Sequence, residues 1–142
     1  MHPMYEKANK ALEDAVIAMQ TVLDPLAVGL LESIYQKCLA HELELMGHRV
    51  ITEKQVEVNY KGYKFKENLR ADIIIDDCAI LELKSVDGPI RKEFVAQLLS
   101  YMRLCDMPLG MILNFGATSS ARKKRLIAPG VLVDEEMCDC DF

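Results

Sequence analysis

The chain is expected to fold as an α/β protein, with a mixed central sheet flanked by helices and an extra helix at its N-terminus. Two observations carry this expectation. Hydrophobic periodicity runs in the order helix, helix, three strands, helix, strand. A strand-helix-strand unit implies a right-handed crossover and a parallel pair, here at one edge of the sheet. In addition, Ile73-Ile74-Ile75 run without a break, and Leu81 and Leu83 flank Glu82. Such near-continuous apolar runs mark strands covered on both faces, which places helices above and below the sheet.

The first helix spans about Met4 to Leu23. Tyr5, Ala8, Leu12, Ala15, Met19 and Val22 keep the helical rhythm, and Pro3 stands at its mouth. Asp24-Pro25 should end it. A second helix spans about Leu30 to Met46, with Gly47 as its C-terminal stop and Leu31, Ile34, Tyr35, Cys38 and Leu45 as its buried stripe. Val50 to Tyr60 alternates loosely as a strand, Lys61-Gly62 turns, and Tyr63 onward leads into the Asp72 strand. Asp76-Asp77-Cys78 is a tight turn before the Glu82 strand. Gly88-Pro89 opens a third helix, about Arg91 to Leu104, with Phe94, Leu98 and Tyr101 on one side, and Met107-Pro108 ends it. Leu109 to Phe115 is a buried strand. Arg122-Lys123-Lys124-Arg125 forms a basic patch open to solvent or to phosphates.

At 142 residues, 51% hydrophobic, the chain is most simply one domain, residues 1–133, followed by an acidic tail, 134–142. No apolar run is long enough to cross a membrane. The first residues hold no secretory apolar stretch, and the five cysteines are scattered without a CxxC pair. These features argue for reduced thiols and a cytoplasmic location, with Cys38, Cys78 and Cys105 in the core and no zinc site. The net charge of −5 argues at first against nucleic acid. However, five acids lie in the tail: Asp134, Glu135, Glu136, Asp139 and Asp141. The 22 acids less these five equal the 17 Lys and Arg, so the folded body is neutral and has room for a basic groove.

Three charges stand out against this apolar sheet. Asp72 sits in one strand; Glu82 and Lys84, two apart in the next, share a face. If position 72 pairs with 82, the two carboxylates face each other with Cβ atoms about 4.5–5.5 Å apart, where like charges destabilise a hairpin. A divalent metal between them, with Lys84 alongside, relieves the repulsion. The plainer account places these charges on a solvated strand face, but a strand covered on both sides makes a lone carboxylate costly. Gly29-x-x-Glu32-x-x-Tyr35 opens the second helix, where Gly29 suits the N-cap and Glu32 the third position near the positive end of the dipole. Gln97 and Tyr101 lie one turn apart on the third helix.

Taken in order, Gly29-x-x-Glu32-x-x-Tyr35, Arg70-Ala71-Asp72, Leu81-Glu82-Leu83-Lys84 and Gln97-x-x-x-Tyr101 resemble the GxxExxY proteins of the PD-(D/E)XK nuclease superfamily. Tyr60-Lys61-Gly62 and Asn114-Phe115-Gly116 extend the resemblance over about residues 8 to 127. It implies a restriction-endonuclease-like αβββαβ core. Asp72, Glu82 and Glu32 correspond to acids that bind the metal, Mg²⁺ or Mn²⁺, together with the Leu83 carbonyl. Lys84 corresponds to the catalytic lysine. Tyr35, Arg70, Gln97 and Tyr101 take substrate-binding or supporting places. Phe94 stands where relatives often carry His. The implied function is metal-dependent hydrolysis of phosphodiester bonds in nucleic acid, with DNA the expected substrate, no membrane association, and a homodimer as one way to cut two strands. The alternative is a non-catalytic module that binds nucleic acid or protein on the same fold.

Overall fold

The computed structural model describes residues 2–116 and 122–128. The acidic tail, its boundary at residue 133, Cys138 and Cys140 lie outside the described residues. Among the described residues, three helices and five strands follow in the order α1 (Tyr5–Leu26), α2 (Glu32–Leu45), β1 (Val50–Tyr60), β2 (Tyr63–Ile75), β3 (Ala79–Lys84), α3 (Lys92–Leu104), β4 (Leu109–Asn114) and β5 (Lys123–Ile127).

The strands form one mixed sheet in the order β1-β2-β3-β4-β5. β3 and β4 are parallel, and all other neighbours are antiparallel. The basic segment is itself the fifth strand, so the parallel pair lies inside the sheet rather than at its edge. Within that strand Arg125 is buried, and its guanidinium donates to Tyr5 Oη (2.9 Å) and Asn9 Oδ1 (2.8 Å).

The unbroken isoleucines have a direct cause. Ile73 and Ile75 enter the core under α1 and α2, with Leu81, Leu83, Met111 and Leu113. Ile74 enters the opposite core under α3, with Ile80, Leu98, Met102 and Ile112. Alternation along the strand therefore divides apolar residues between two layers instead of between core and water. A Cβ at Gly110 would lie 2.8 Å from Met102 Sδ, so α3 packs this closely on β4 only because position 110 has none.

Two boundaries differ from expectation. α1 continues through Pro25 to Leu26. In the last turn a proline forfeits one hydrogen bond, and Leu26 gains contact with the core. α2 begins at Glu32 after an extended Leu31, so Glu32 is the first helical residue and Gly29 is not the cap. Gly29 instead takes φ +101° in the loop before it. The buried face of α2 is Tyr35, Leu39, Ala40 and Leu43, whereas Leu31, Ile34 and Leu45 are exposed. Spacing by four from Tyr35 fixes that face, and Leu31 leaves it because it is not helical. α3 ends at Leu104, as expected; beyond it Asp106, at φ 51°, lets Met107 N–H return to Met102 O (2.9 Å), ahead of Pro108. Cys78 is buried, but Cys38 and Cys105 only partly so; all three are free.

Candidate active site

The pairing of β2 with β3 runs Ile75↔Ala79, Ile74↔Ile80, Ile73↔Leu81. One step further brings Asp72 level with Glu82. There the two strands are joined by acidic side chains: Asp72 N–H donates to Glu82 Oε1 (3.3 Å), and Leu83 N–H donates to Asp72 Oδ2 (2.8 Å). Glu82 is 4% exposed. Burial, and then the charge of Asp72, push its carboxyl up to about 9. Burial likewise raises Asp72, against the lowering effect of its bond from Leu83 N–H. With no cation between them, the pair retains a proton near neutral pH.

Lys84 is half-buried, with Nζ 4.5 Å from the centre of the Phe94 ring on α3. Its charge stabilises the ionised form of both acids. Phe94 thus supplies a face for the lysine head rather than a polar contact. The strand end carrying Lys84 is held by Phe115 N–H to Lys84 O (2.8 Å). The loop after it is pinned by buried Asn114. The Asn114 amide accepts from Val86 N–H (3.1 Å) and Gly116 N–H (3.0 Å) and donates to Val86 O (3.0 Å).

A cleft of about 510 Å³ opens at Asp72, lined by Glu32, Ser33 and Gln36 of α2, with Glu53, Asp72 and Leu83 of the sheet; Glu82 lies behind Asp72 and does not line it. The α2 wall is fixed in two ways. Gln36 Nε2 donates to Asp72 O (2.8 Å), and Ser85 Oγ donates to Leu30 O (2.8 Å). Tyr35 lies behind the wall. Its ring stacks on Phe115 (centroids 4.4 Å apart), while its hydroxyl donates to Ala27 O (2.7 Å) and accepts from Leu30 N–H (3.0 Å). Tyr35 therefore shapes the loop before α2 from inside the core.

The sequence candidates separate accordingly. Asp72, Glu82, Leu83 and Lys84 converge, and Glu32 lines the same cleft. Tyr101 is nearly buried on the α3 side, where burial and then the Glu82 charge raise its phenol. It accepts a hydrogen bond from Gln97 Nε2 (3.2 Å). Arg70 is exposed on β2, two residues before Asp72 and opposite Gln55. Sequence reasoning missed two members. Gln36 follows Glu32 by one helical turn, a legible signal. Glu53 lies on β1 between the pairs Thr52↔Ile73 and Lys54↔Ala71, level with Asp72, at φ 54°. In the sequence it looks like any exposed strand glutamate; only the left-handed backbone sets it apart.

The available donors are all oxygen, which suits a hard divalent cation. Among the described residues, no three ligating side chains are already gathered around one point. Two carboxylates completed by water satisfy an ion that dehydrates reluctantly, so the donor set fits.

A model of the PD-(D/E)XK nuclease superfamily matches residues 9–126. No curated protein matches the sequence. Among solved structures, the crystal structure of SSO0001 is similar at 20% identity and a TM-score of 0.49, over 94% of this chain. The match spans 62% of the SSO0001 chain, so this chain is less than two thirds of its length. Nucleases of the matched superfamily generally use divalent metals. The match takes in every residue of the cleft, the acid pair and the lysine, and the five-stranded mixed sheet with its flanking helices is restriction-endonuclease-like: the chain belongs to the PD-(D/E)XK nuclease superfamily.

Proposed function

We propose that the chain is a metal-dependent nuclease that hydrolyses phosphodiester bonds in DNA. Within the superfamily, Gly29-x-x-Glu32-x-x-Tyr35 favours the GxxExxY group. One observation carries the reading above all. A buried glutamate, pushed to about 9, stands against a second carboxylate at the head of a cleft, with a half-buried lysine beside them. The pair ties β2 to β3 through two hydrogen bonds, but burying two facing carboxylates is costly, and a cation between them offsets that cost.

Asp72 and Glu82 would hold Mg²⁺ or Mn²⁺, with the Leu83 carbonyl and, across the cleft, Glu32. Such an ion lowers the pKa of bound water and polarises a phosphoryl oxygen. Glu82 must give up its proton for the site to load. Lys84 orients the attacking water or neutralises charge developing on the phosphate, its head steadied by the Phe94 ring. Tyr101 and Gln97 support the pair from α3. Free thiols among the described residues agree with a reducing, cytoplasmic setting. A second copy of the chain would supply the second cut in a duplex.

The test is cleavage of plasmid, single-stranded and branched DNA with Mg²⁺ or Mn²⁺, run beside Lys84→Ala. Wild type should cut, and the variant should fold normally but lose roughly 10²–10³-fold in rate. Full activity in Lys84→Ala would remove the lysine from the mechanism.

A further inference from the structure

The β1–β2 hairpin extends past the rest of the sheet. β3 pairs with β2 only at residues 73–75, and beyond the irregularity at Gln55/Glu57 the two strands pair with each other alone. Among the described residues, no third strand covers 57–66. A bare two-stranded ribbon has little stability of its own, and this one ends in a tight Lys61-Gly62 turn with both φ angles positive.

Its side chains are unusual for an unsupported ribbon. Tyr60 pairs across the strands with Tyr63, and they are 64% and 68% exposed. Phe65 continues that side, 5.2 Å from Tyr63 by ring centroids. Lys61 Nζ lies 5.4 Å from the Tyr60 ring centre. Lys64 and Lys66 occupy the other side. With Lys54 and with Arg103 at the end of α3, they line a cleft of about 620 Å³ in which Glu57 is the one acid. Residues 54–66 hold four lysines and one glutamate within a chain whose net charge is −5.

Exposed rings on one side and cations on the other are the two components of single-strand recognition: flat faces for unpaired bases, positive charge for the phosphates. We infer that this hairpin is a nucleic-acid arm. Unpaired bases stack on Tyr60 and Tyr63, Lys61 lies beside the stack at the tip, and the strand rounds the ribbon so that its flanking phosphates lie along Lys64, Lys66 and Arg103 on the other side. The inference rests on the nuclease reading for its purpose and deepens it: the preferred substrate carries a single-stranded segment some nucleotides from the scissile bond, since nine residues of β2 separate Tyr63 from Asp72, about 30 Å. A small acidic-to-neutral protein thereby gains local affinity without a basic surface throughout.

The test uses the full chain and two readouts. Binding of labelled single-stranded and duplex oligonucleotides is measured in EDTA by fluorescence anisotropy, and cleavage is measured separately with metal. Tyr60→Leu/Tyr63→Leu keeps an apolar cross-strand pair but removes the rings. It should weaken single-strand binding by about tenfold or more and spare duplex binding, while Tyr60→Phe/Tyr63→Phe should bind as wild type. Lys64→Glu/Lys66→Glu should weaken both and flatten the salt dependence. These residues are exposed, and unchanged melting curves confirm that the variants fold. Wild-type affinity in both the Leu and Glu variants, or a polyglutamate peptide competing as well as DNA, overturns the arm; if wild type still cuts, the nuclease reading survives. Binding lost as expected in a wild-type background that never cuts supports the arm and sinks the nuclease.

Discussion

Glu82 carries a site that its surroundings disfavour. At 4% exposure, with Asp72 facing it, its charge lacks both water and a counter-ion. The pH consequence has a definite sign. An unfolded glutamate ionises near 4.5, whereas the folded one holds its proton to about 9. Between those values the native state binds more protons, so metal-free stability must fall as pH rises through the window. Glu82→Gln retains the volume and a hydrogen-bond acceptor without the charge. In EDTA it should melt at the same temperature as wild type or higher, with a flatter pH dependence from 5 to 9. A clear loss of stability would make Glu82 a structural residue. The sequence exposed much of the candidate site, because a charge within a doubly apolar strand is costly unless it is paired or coordinated. Tyr35 was legible as a buried residue of its helix, but its partners were not. Its position in the core, with its hydroxyl tying Ala27 to Leu30, depends on Phe115 eighty residues away. Glu53 was not legible, since its backbone angle leaves no mark on the residue type.

Elements are joined at the far end of β2 by another charged group. His48 lies between Asp14 of α1 (2.7 Å) and Asp76 of the β2–β3 turn (2.6 Å). Asp76 also accepts from Arg49 N–H (2.8 Å), and Lys10 pairs with Asp14 (2.9 Å). Burial opposes the charge on His48, but bonds to Asp76 and Asp14 outweigh it and hold the imidazole above its usual value. Burial also opposes ionisation of the two acids, yet their partners hold both below theirs. The tie is therefore complete between 3.8 and 6.5. It is lost as pH rises through the elevated imidazole value or falls through the depressed acid values. His48→Ala should cost about 2 kcal/mol at pH 6 and distinctly less at pH 9, read from urea unfolding. Equal losses at both pH values would show that the contact is packing alone. Element types were readable from periodicity, and so were ends marked by turns, as at Val50–Tyr60 and Tyr63; the ends around Pro25 and Gly29 were not. Pro25 stays helical because the core contact of Leu26 outweighs one missing bond, and Gly29 serves a loop rather than a cap. The basic run became a strand because β4 offered a free edge, a fact no local pattern carries.

Across the whole molecule, the sheet separates two roles. Its middle is apolar on both faces and fixes the register that brings residues 72 and 82 together. One end is closed by the His48 tie, and the other opens as the cleft between α2 and the strands. The β1–β2 hairpin extends from the same sheet with its rings and lysines uncovered. The overall architecture was legible because the order of helices and strands admits few topologies. The depth of the cleft and the length of the free hairpin were not, since both depend on how far β3 reaches along β2.

In the proposed mechanism Asp72 and Glu82 together hold a divalent cation. Calorimetric titration of Mn²⁺ into metal-free protein at pH 7.5, for wild type and Glu82→Gln, tests it directly. Wild type should bind saturably with proton release, and the variant should not bind. Absence of binding in wild type, or equal binding in both, would contradict it.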